Sequence, residues 1–415
     1  MPQSDDPAGN RRRLPRNVWV AGLASLFTDI SSEMIVPVLP LFLTGVLAAS
    51  PASIGLIEGV AEATASLLKV VSGWWSDRVR RRKPFMLFGY GLSNLIKPLF
   101  ALAQSWPQVL VIRFADRFGK GVRGAPRDAL IADSVDASQR GRAFGVHRMM
   151  DTLGAAIGPL VSFAILMAFQ DDYRRVFWWS ALPGVVSVVV LSLWLRDSRR
   201  GTGRHDDGAT GHDGPENRPD AAEARAARPL GPAFTWLAVV ATLFALGNSS
   251  DAFLILRARD LGLPAALVPV AYFSFNAVYS LTSWPAGSWS DRIGRRPLLI
   301  AGYLFFAAIY VGFARATQAW HVWPLFAFYG LYYAATEGVQ KAMVADLVPA
   351  GRRGTAIGLV NGLTGLATLP ASLAAGLLWQ RFGFGWSFYY GAAAALAAAL
   401  GLLVWPFGRR AEGVQ

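Results

Sequence analysis

No cysteine occurs among the 415 residues, so disulfides, thiolate metal sites and cysteine nucleophiles are excluded. Histidine is nearly as scarce, at four copies. His205 and His212 fall in a polar stretch, where solvated side chains rather than a metal site are expected. Charge is thin: Asp, Glu, Lys and Arg make up 16% of the chain, against about 25% in an ordinary soluble domain. No Gly-x-x-x-x-Gly-Lys-Ser/Thr loop is present, which sets aside an ATP-driven pump carried on this chain. Nor does any nucleophile–base or metal constellation emerge. The expectation is therefore not an enzyme, with no cofactor and no metal.

What fills the chain instead is apolar sequence, 53% of all residues, arranged in long blocks. A bilayer core about 30 Å thick needs roughly 20 residues at 1.5 Å rise. Twelve blocks reach that length: 17–47, 53–76, 84–104, 107–133, 140–169, 176–196, 232–260, 264–290, 297–317, 320–347, 353–381 and 385–407. The net charge of +13 raises nucleic acid as a partner, but the basic residues sit mainly in short connections between blocks. Arg80-Arg81-Arg82-Lys83, Arg140 with Arg142, Arg295-Arg296 and Arg352-Arg353 all fall on even-numbered connections. By the positive-inside rule these connections and both termini are cytoplasmic, and nucleic acid is not an expected partner. The basic N-terminus superficially resembles a secretory signal. Its apolar run is too long and contains Asp29 and Glu33, so it reads as a retained first helix. Residues 197–231 are polar and offer no face to bury, which reads as a flexible linker between bundles 17–196 and 232–408. The tails are 1–16 and 409–415.

The two bundles are copies of one unit. Gly73-Trp-Trp-Ser-Asp77-Arg78-Val-Arg80-Arg81-Arg82 returns as Gly287-Ser-Trp-Ser-Asp291-Arg292-Ile-Gly294-Arg295-Arg296, at an offset of 214. Asp133 through Gly145 returns as Asp346 through Gly358, and Ser31-Ser32-Glu33 as Ser249-Ser250-Asp251. The Gly-x-x-x-Asp-Arg-x-x-Arg-Arg pattern resembles the signature loop of the major facilitator superfamily, between the second and third helices of each half. The resemblance implies an all-α integral membrane protein with twelve transmembrane helices in two six-helix pseudo-symmetric bundles. It further implies a substrate site between the halves near the midplane. In that family the loop aspartate bridges to the opposite half and holds the cytoplasmic side shut. Carried onto this chain, Asp77 would engage the start of the eleventh span near Arg353, and Asp291 the start of the fifth near Arg140. Gly73, Arg78, Gly287 and Arg292 complete the two loops. The plainer alternative is that the basic clusters only set topology.

Ionisable residues inside spans are expensive and mark functional faces. In the fourth span Arg113, Asp116, Lys120, Arg123 and Arg127 advance by three, four, three and four residues, which puts them on one helical face, with Arg117 and Asp128 close beside it. Arg113 best matches the arginine that the family resemblance links to proton coupling. Asp29 with Glu33, and Glu58 with Glu62, are carboxylate pairs at i,i+4 in the first two spans. Neighbouring carboxylates in a dry setting raise one another's pKa, which suits proton uptake, so Asp29, Glu33, Glu62, Arg113 and Asp116 are the proton-coupling candidates. Glu58 falls near the outer end, where solvation is the plain expectation, and Lys69 is placed to neutralise Glu62. Lys120, Arg148, Asp151, Asn248, Asp251, Asn276 and Glu337 are candidates for a substrate pocket. Glu337 and Lys341 also form an i,i+4 pair able to neutralise itself. Gly154-x-x-x-Gly158-Pro159 resembles the start of a fifth-span antiporter motif, but Leu160-Val-Ser-Phe then replaces the expected glycines. Close helix packing explains those small residues equally well.

The expected function is secondary active transport of a small molecule, proton-coupled, with efflux preferred, by a monomer in the plasma membrane. Two alternatives stay open: an uptake symporter for an organic anion using the fourth-span cations, and a non-transporting membrane sensor or scaffold. The topology is directly testable. A reporter inserted at Gly208 is expected in the cytoplasm and one after Ala49 outside; the reverse pair would overturn the orientation.

Overall fold

Within lipid, every backbone polar group must find its partner inside the chain, and an apolar segment meets that demand as a helix. The computed structural model describes residues 14–79, 82–135, 139–196, 230–349 and 352–404, and among them no strand occurs. The helices run, in order, α1 Arg16–Gly45, α2 Pro51–Val79, α3 Lys83–Leu102, α4 Trp106–Asp133, α5 Arg140–Ala168 and α6 Tyr173–Trp194 in the first half. The second half holds α7 Pro232–Asp260, α8 Ala265–Ile293, α9 Arg295–Arg315, α10 Val322–Asp346, α11 Arg353–Phe382 and α12 Phe384–Leu403. Each of the twelve expected spans corresponds to one of these helices. Among the described residues nine are long and apolar enough to cross a membrane by composition alone. The others, α2, α4 and α10, are as long but more polar, and α4 alone carries eight charged residues.

Two spans are broken rather than continuous. In α1 the helix stops at Ile35 and restarts at Leu39, because Pro37 supplies no N–H and crowds the preceding turn. In α7 it stops at Gly247, leaves Asn248–Ser250 non-helical, and resumes at Ala252. The linker expected at 197–231 lies, apart from Leu230 and Gly231, outside the described residues, as do most of the two tails.

The halves meet along α2 with α11 and along α5 with α8, which are equivalent pairs under the internal repeat. The first contact is very close. A Cβ on Gly55 would lie 2.1 Å from the Ser372 carbonyl oxygen, and one on Gly365 would lie 2.0 Å from Ser66 Oγ. Small residues let two backbones approach so closely that any side chain there would wedge them apart. Toward the basic loops the contact ends: a Cβ at Gly354, Gly358 or Gly362 would meet nothing within 4 Å. At the opposite end Met34, Val38, Phe42 and Ile54 of the first half bury against Phe253, Leu256, Ala266 and Ala375 of the second, in one apolar cluster. The molecule is thus sealed by apolar packing at one end and open at the end bearing the basic loops.

Since the chain has no cysteine, an added thiol reports alone. Gly358→Cys is expected to react readily with an impermeant maleimide from the basic-loop face, and Ile54→Cys to resist it from the other. Protection of Gly358→Cys would contradict an arrangement open at that end.

Candidate functional site

The site is organised by α4. Gly121 brings α4 against α2, where a Cβ would lie 2.7 Å from Leu68 Cβ, and Gly119 brings it against α3, 2.6 Å from the Gly89 carbonyl oxygen. Into that seam point Arg113, Asp116 and Arg117 of α4. Arg113 donates from Nη2 to Glu58 Oε2 at 2.9 Å and lies 3.6 Å from Asp116. Arg117 reaches Glu62 at 3.5 Å and Asp116 at 4.0 Å, while Ser93 donates to Asp116 at 2.6 Å. Arg113, Asp116, Arg117 and Glu58 are all buried. Charges removed from water are tolerated when an opposite charge stands close by, and this ladder of alternating sign supplies one to each group, while Arg113 Nε and Arg117 Nε stay buried without a hydrogen-bond partner. It also corrects the expectation for Glu58, which is 7% exposed and paired rather than solvated. Glu62 is held by Arg117, not by Lys69.

Further along α4, Arg123 stacks over the Tyr90 ring at 4.1 Å. Tyr90 Oη and His147 Nε2 share Ser25 Oγ, at 2.8 and 3.0 Å, and His147 Nδ1 lies 3.5 Å from Asp151. Arg127 forks onto the adjacent Asp128 at 2.9–3.0 Å. Behind these, Lys97 on α3 is 1% exposed and donates to Ser32 Oγ at 2.8 Å and Asn94 Oδ1 at 2.9 Å, with Ser31 Oγ at 3.3 Å. Among the described residues it has no carboxylate partner.

These elements enclose a cavity of about 410 Å³ lined by Asp29 and Glu33 from α1, Glu62, Ser66 and Lys69 from α2, and Lys120, Arg123 and Arg127 from α4. Arg148 and Asp151 from α5, with Asn276 and Tyr279 from α8, close its far wall. A second space of about 400 Å³ adjoins it at Glu62 and Ser66, lined by Phe244, Asn248, Tyr332, Tyr333, Thr336, Glu337, Gln340, Lys341, Asn361, Thr364 and Thr368. Between them Arg148 donates to Tyr279 Oη at 3.0 Å, Tyr279 donates to Glu337, and Lys341 meets Glu337 at 2.7 Å. Arg148 thereby joins the first half to the second through one tyrosine. Glu33 Oε2, Asp151 Oδ1, Asn248 Oδ1 and Asn276 Nδ2 are buried without a protein partner. The chemistry on offer is binding of a small, polar or charged molecule; among the described residues no group of side chains could hold a metal ion.

The structure therefore brings Asp29, Glu33, Glu62, Lys120, Arg148, Asp151 and Asn276 to one cavity, and Asn248 and Glu337 to the adjoining one. Arg113 and Asp116 stand behind the wall rather than on it. Asp251 lines neither space; its Oδ1 accepts from Tyr329 Oη at 2.8 Å. Around the loops, a Cβ on Gly73 would lie 3.2 Å from Ala125 Cβ, one on Gly287 would meet open space, and Arg78 lies 5.5 Å from the centre of the Trp74 ring. Asp291 is 69% exposed on its side chain and 3.6 Å from Arg295 of its own half. Arg353 donates to the Ala345 carbonyl at 3.0 Å, and Arg140 and Arg292 are exposed. The side chain of Asp77 is outside the described residues. Sequence reasoning missed Lys97, the one charge in the middle of an otherwise uncharged third span, a signal that was present. It also missed His147, an ionisable residue inside the fifth span that the same rule would flag, and Ser93, Asn94 and Tyr279, which nothing in the sequence distinguishes from packing residues.

Comparison with known proteins gives the following. The sequence model of the Major Facilitator Superfamily matches residues 21–257 and 235–414. An uncharacterised MFS-type transporter of Methanocaldococcus jannaschii is 35% identical over 400 residues, covering 95% of this chain and 96% of the relative. The class C tetracycline resistance protein of Escherichia coli is 25% identical over 95% of this chain and 97% of that protein. A crystal structure of a D-xylose–proton symporter superposes with a TM-score of 0.75 over 93% of this chain and 96% of that one, at 17% identity.

The ladder has a measurable consequence for stability. Arg113→Gln leaves Glu58 buried without its cation, and such a loss destabilises by about 3–5 kcal/mol. The double variant Glu58→Gln/Arg113→Gln is expected to regain most of it in the unfolding midpoint. Equal midpoints for single and double variants would show that the two side chains are not coupled.

Proposed function

Because the chain belongs to the major facilitator superfamily, we propose that it is a proton-coupled exporter of a small molecule working by alternating access. The observation that carries this reading is the central cavity, open at the basic-loop end, sealed by apolar packing at the other, and lined by unpaired charge. The basic loops supply the orientation: they are cytoplasmic, the membrane is the plasma membrane, and the arrangement described here faces inward. Rocking of the halves would close the loop end by bringing Asp77 toward Arg353 and Asp291 toward Arg140, while parting Phe42 from its apolar neighbours in α7. One copy suffices, since one chain encloses the whole cavity. Kinship with a tetracycline resistance protein supports export over uptake.

Of the carboxylates considered for the proton, Glu62 and Asp116 are engaged by arginines. Asp29 and Glu33 have no ion pair among the described residues, and Glu33 Oε2 is buried with no protein donor. A coupling site must be able to lose its charge in one state, which a carboxylate locked by a guanidinium resists. Glu33, with Asp29 one turn away, is therefore the proton site. It packs on α5, where a Cβ on Gly158 would lie 2.7 Å from its own Cβ. The organic-anion symport alternative has Lys69 and Lys120 in its favour and the two free carboxylates against it.

One proton crossing one pH unit supplies about 1.4 kcal/mol, enough for roughly tenfold accumulation. In vesicles reconstituted with the purified protein, Glu33→Gln is expected to abolish that gradient-driven accumulation while leaving downhill exchange intact at saturating substrate. Retained, pH-dependent accumulation by Glu33→Gln would place the proton elsewhere.

A further inference from the structure

The charges lining the first space do not cancel at random. Four carboxylates and five cations face it: Asp29, Glu33, Glu62 and Asp151 against Lys69, Lys120, Arg123, Arg127 and Arg148. Each arginine is occupied, on the Tyr90 ring, on Asp128 and on Tyr279 respectively. Glu62 is held by Arg117 and Asp151 is beside His147. Among the described residues that leaves Asp29, Glu33, Lys69 and Lys120 without an ion pair, a side-chain hydrogen bond or an aromatic ring under the charge, two of each sign; Arg123 also lacks an ion pair and a hydrogen bond, and is engaged by the Tyr90 ring alone. The two carboxylates lie one turn apart on α1, and the two ammonium groups come from α2 and α4. We infer that the substrate is a zwitterion, its ammonium group facing Asp29 and Glu33 and its anionic group facing Lys69 and Lys120. This rests on the transporter reading above.

Charge matching decides between the classes. A zwitterion brings a direct counter-charge to both pairs at once, whereas a lone anion brings one only to the lysines, a lone cation only to the carboxylates, and a neutral molecule to neither. Each uncompensated charge in a partly desolvated cavity carries a penalty. The adjoining space has a different character. Its two ions, Glu337 and Lys341, neutralise each other at 2.7 Å. What remains there is carboxamide, hydroxyl and aromatic surface, from residues such as Asn248, Asn361, Thr364 and Tyr333. That surface suits an uncharged, hydrogen-bonding body attached to the charged head. The two spaces join at Glu62 and Ser66, so one molecule can occupy both.

The assignment also yields exchange without a separate device. Facing Glu33 are Asp29 of its own helix, Lys120 with Arg117 and Arg113 behind it on α4, Asp151 on α5 and Tyr272 on α8. A substrate ammonium and a proton answer the same negative charge at Asp29 and Glu33, so they compete. Arrival of one favours departure of the other, which is antiport.

The test uses matched sets of four built on tryptophan, tyrosine and the dipeptide Ala-Phe. In each set the free amino acid or peptide carries both charges, its methyl ester only the cation, its N-acetyl acid only the anion, and its N-acetyl ester neither. Binding to the purified full-length protein is read by thermal shift at neutral pH. The zwitterion of a set is expected to bind most tightly. Lys120→Gln, whose side chain stands exposed to the cavity without a hydrogen bond or an ion pair among the described residues, should weaken the zwitterion by about tenfold and leave the methyl ester unchanged. Glu33→Gln should weaken the zwitterion and the ester while sparing the N-acetyl acid. Tighter binding of a singly charged or neutral member overturns the inference, as does a zwitterion indifferent to both substitutions. Silence from all three sets counts against it too, yet leaves the transport reading to stand or fall on the vesicle assay.

Discussion

Charge inside a low-dielectric slab needs a counter-charge or a cage of hydrogen-bonding groups within a few ångströms, and the first half of this protein is arranged around that requirement. The α2–α4 seam supplies it as a ladder: Glu58 to Arg113, Arg113 to Asp116, Asp116 to Arg117, Arg117 to Glu62. The seam can exist only because Gly119 and Gly121 let α4 lie close to both neighbours. Once those groups are satisfied by one another, the charges left over on the same helices are defined by exclusion. Of these, Lys69, Lys120, Arg123 and Arg127 face the cavity, beside Glu62 from the end of the ladder itself. The second half meets the same solvent with a different solution, burying Tyr303, Phe306, Tyr310, Tyr329 and Tyr332 in a continuous aromatic core and keeping few ions. Two copies of one unit have thus diverged, one toward electrostatics and the other toward packing.

The sequence discloses the architecture far better than the partnerships. Length and hydropathy give all the spans, and the duplicated Asp77 and Asp291 loops give the family, because both signals are local along the chain. The break in α1 is also readable, from Pro37. The break in α7 is less so, since Asn248-Ser249-Ser250 carries no proline and unwinds only in its tertiary setting. A helical stripe tells which face a residue occupies but not what stands opposite, so Arg113 and Lys120 look equivalent on α4. One is buried against α2 and the other opens onto the cavity. Glu58 was misread for the same reason: its position near a helix end says nothing of an arginine arriving from another helix. Lys97 needed no partner to be noticed, only the rule that a charge amid an apolar span has work to perform.

The gate residues illustrate a different limit. Asp291 pairs within its own half here, and Arg140 and Arg353 are exposed, as befits a molecule open at that end. A pairing that belongs to another state leaves its trace in the sequence, as a carboxylate that topology alone does not require, but not in the geometry of this one.

The two ends of the cavity are sealed by different physics. Phe42, Phe253 and Leu256 close one end through apolar burial, which weakens on cooling and is nearly blind to dilute electrolyte. The other end is bordered by solvent-exposed arginines and aspartates, whose attraction is screened over about 10 Å at 0.1 M ionic strength. Temperature and salt therefore act on opposite doors of the same chamber. Cold loosens the apolar door and salt loosens the ionic one, so the balance between the two facing states is set by conditions as well as by cargo.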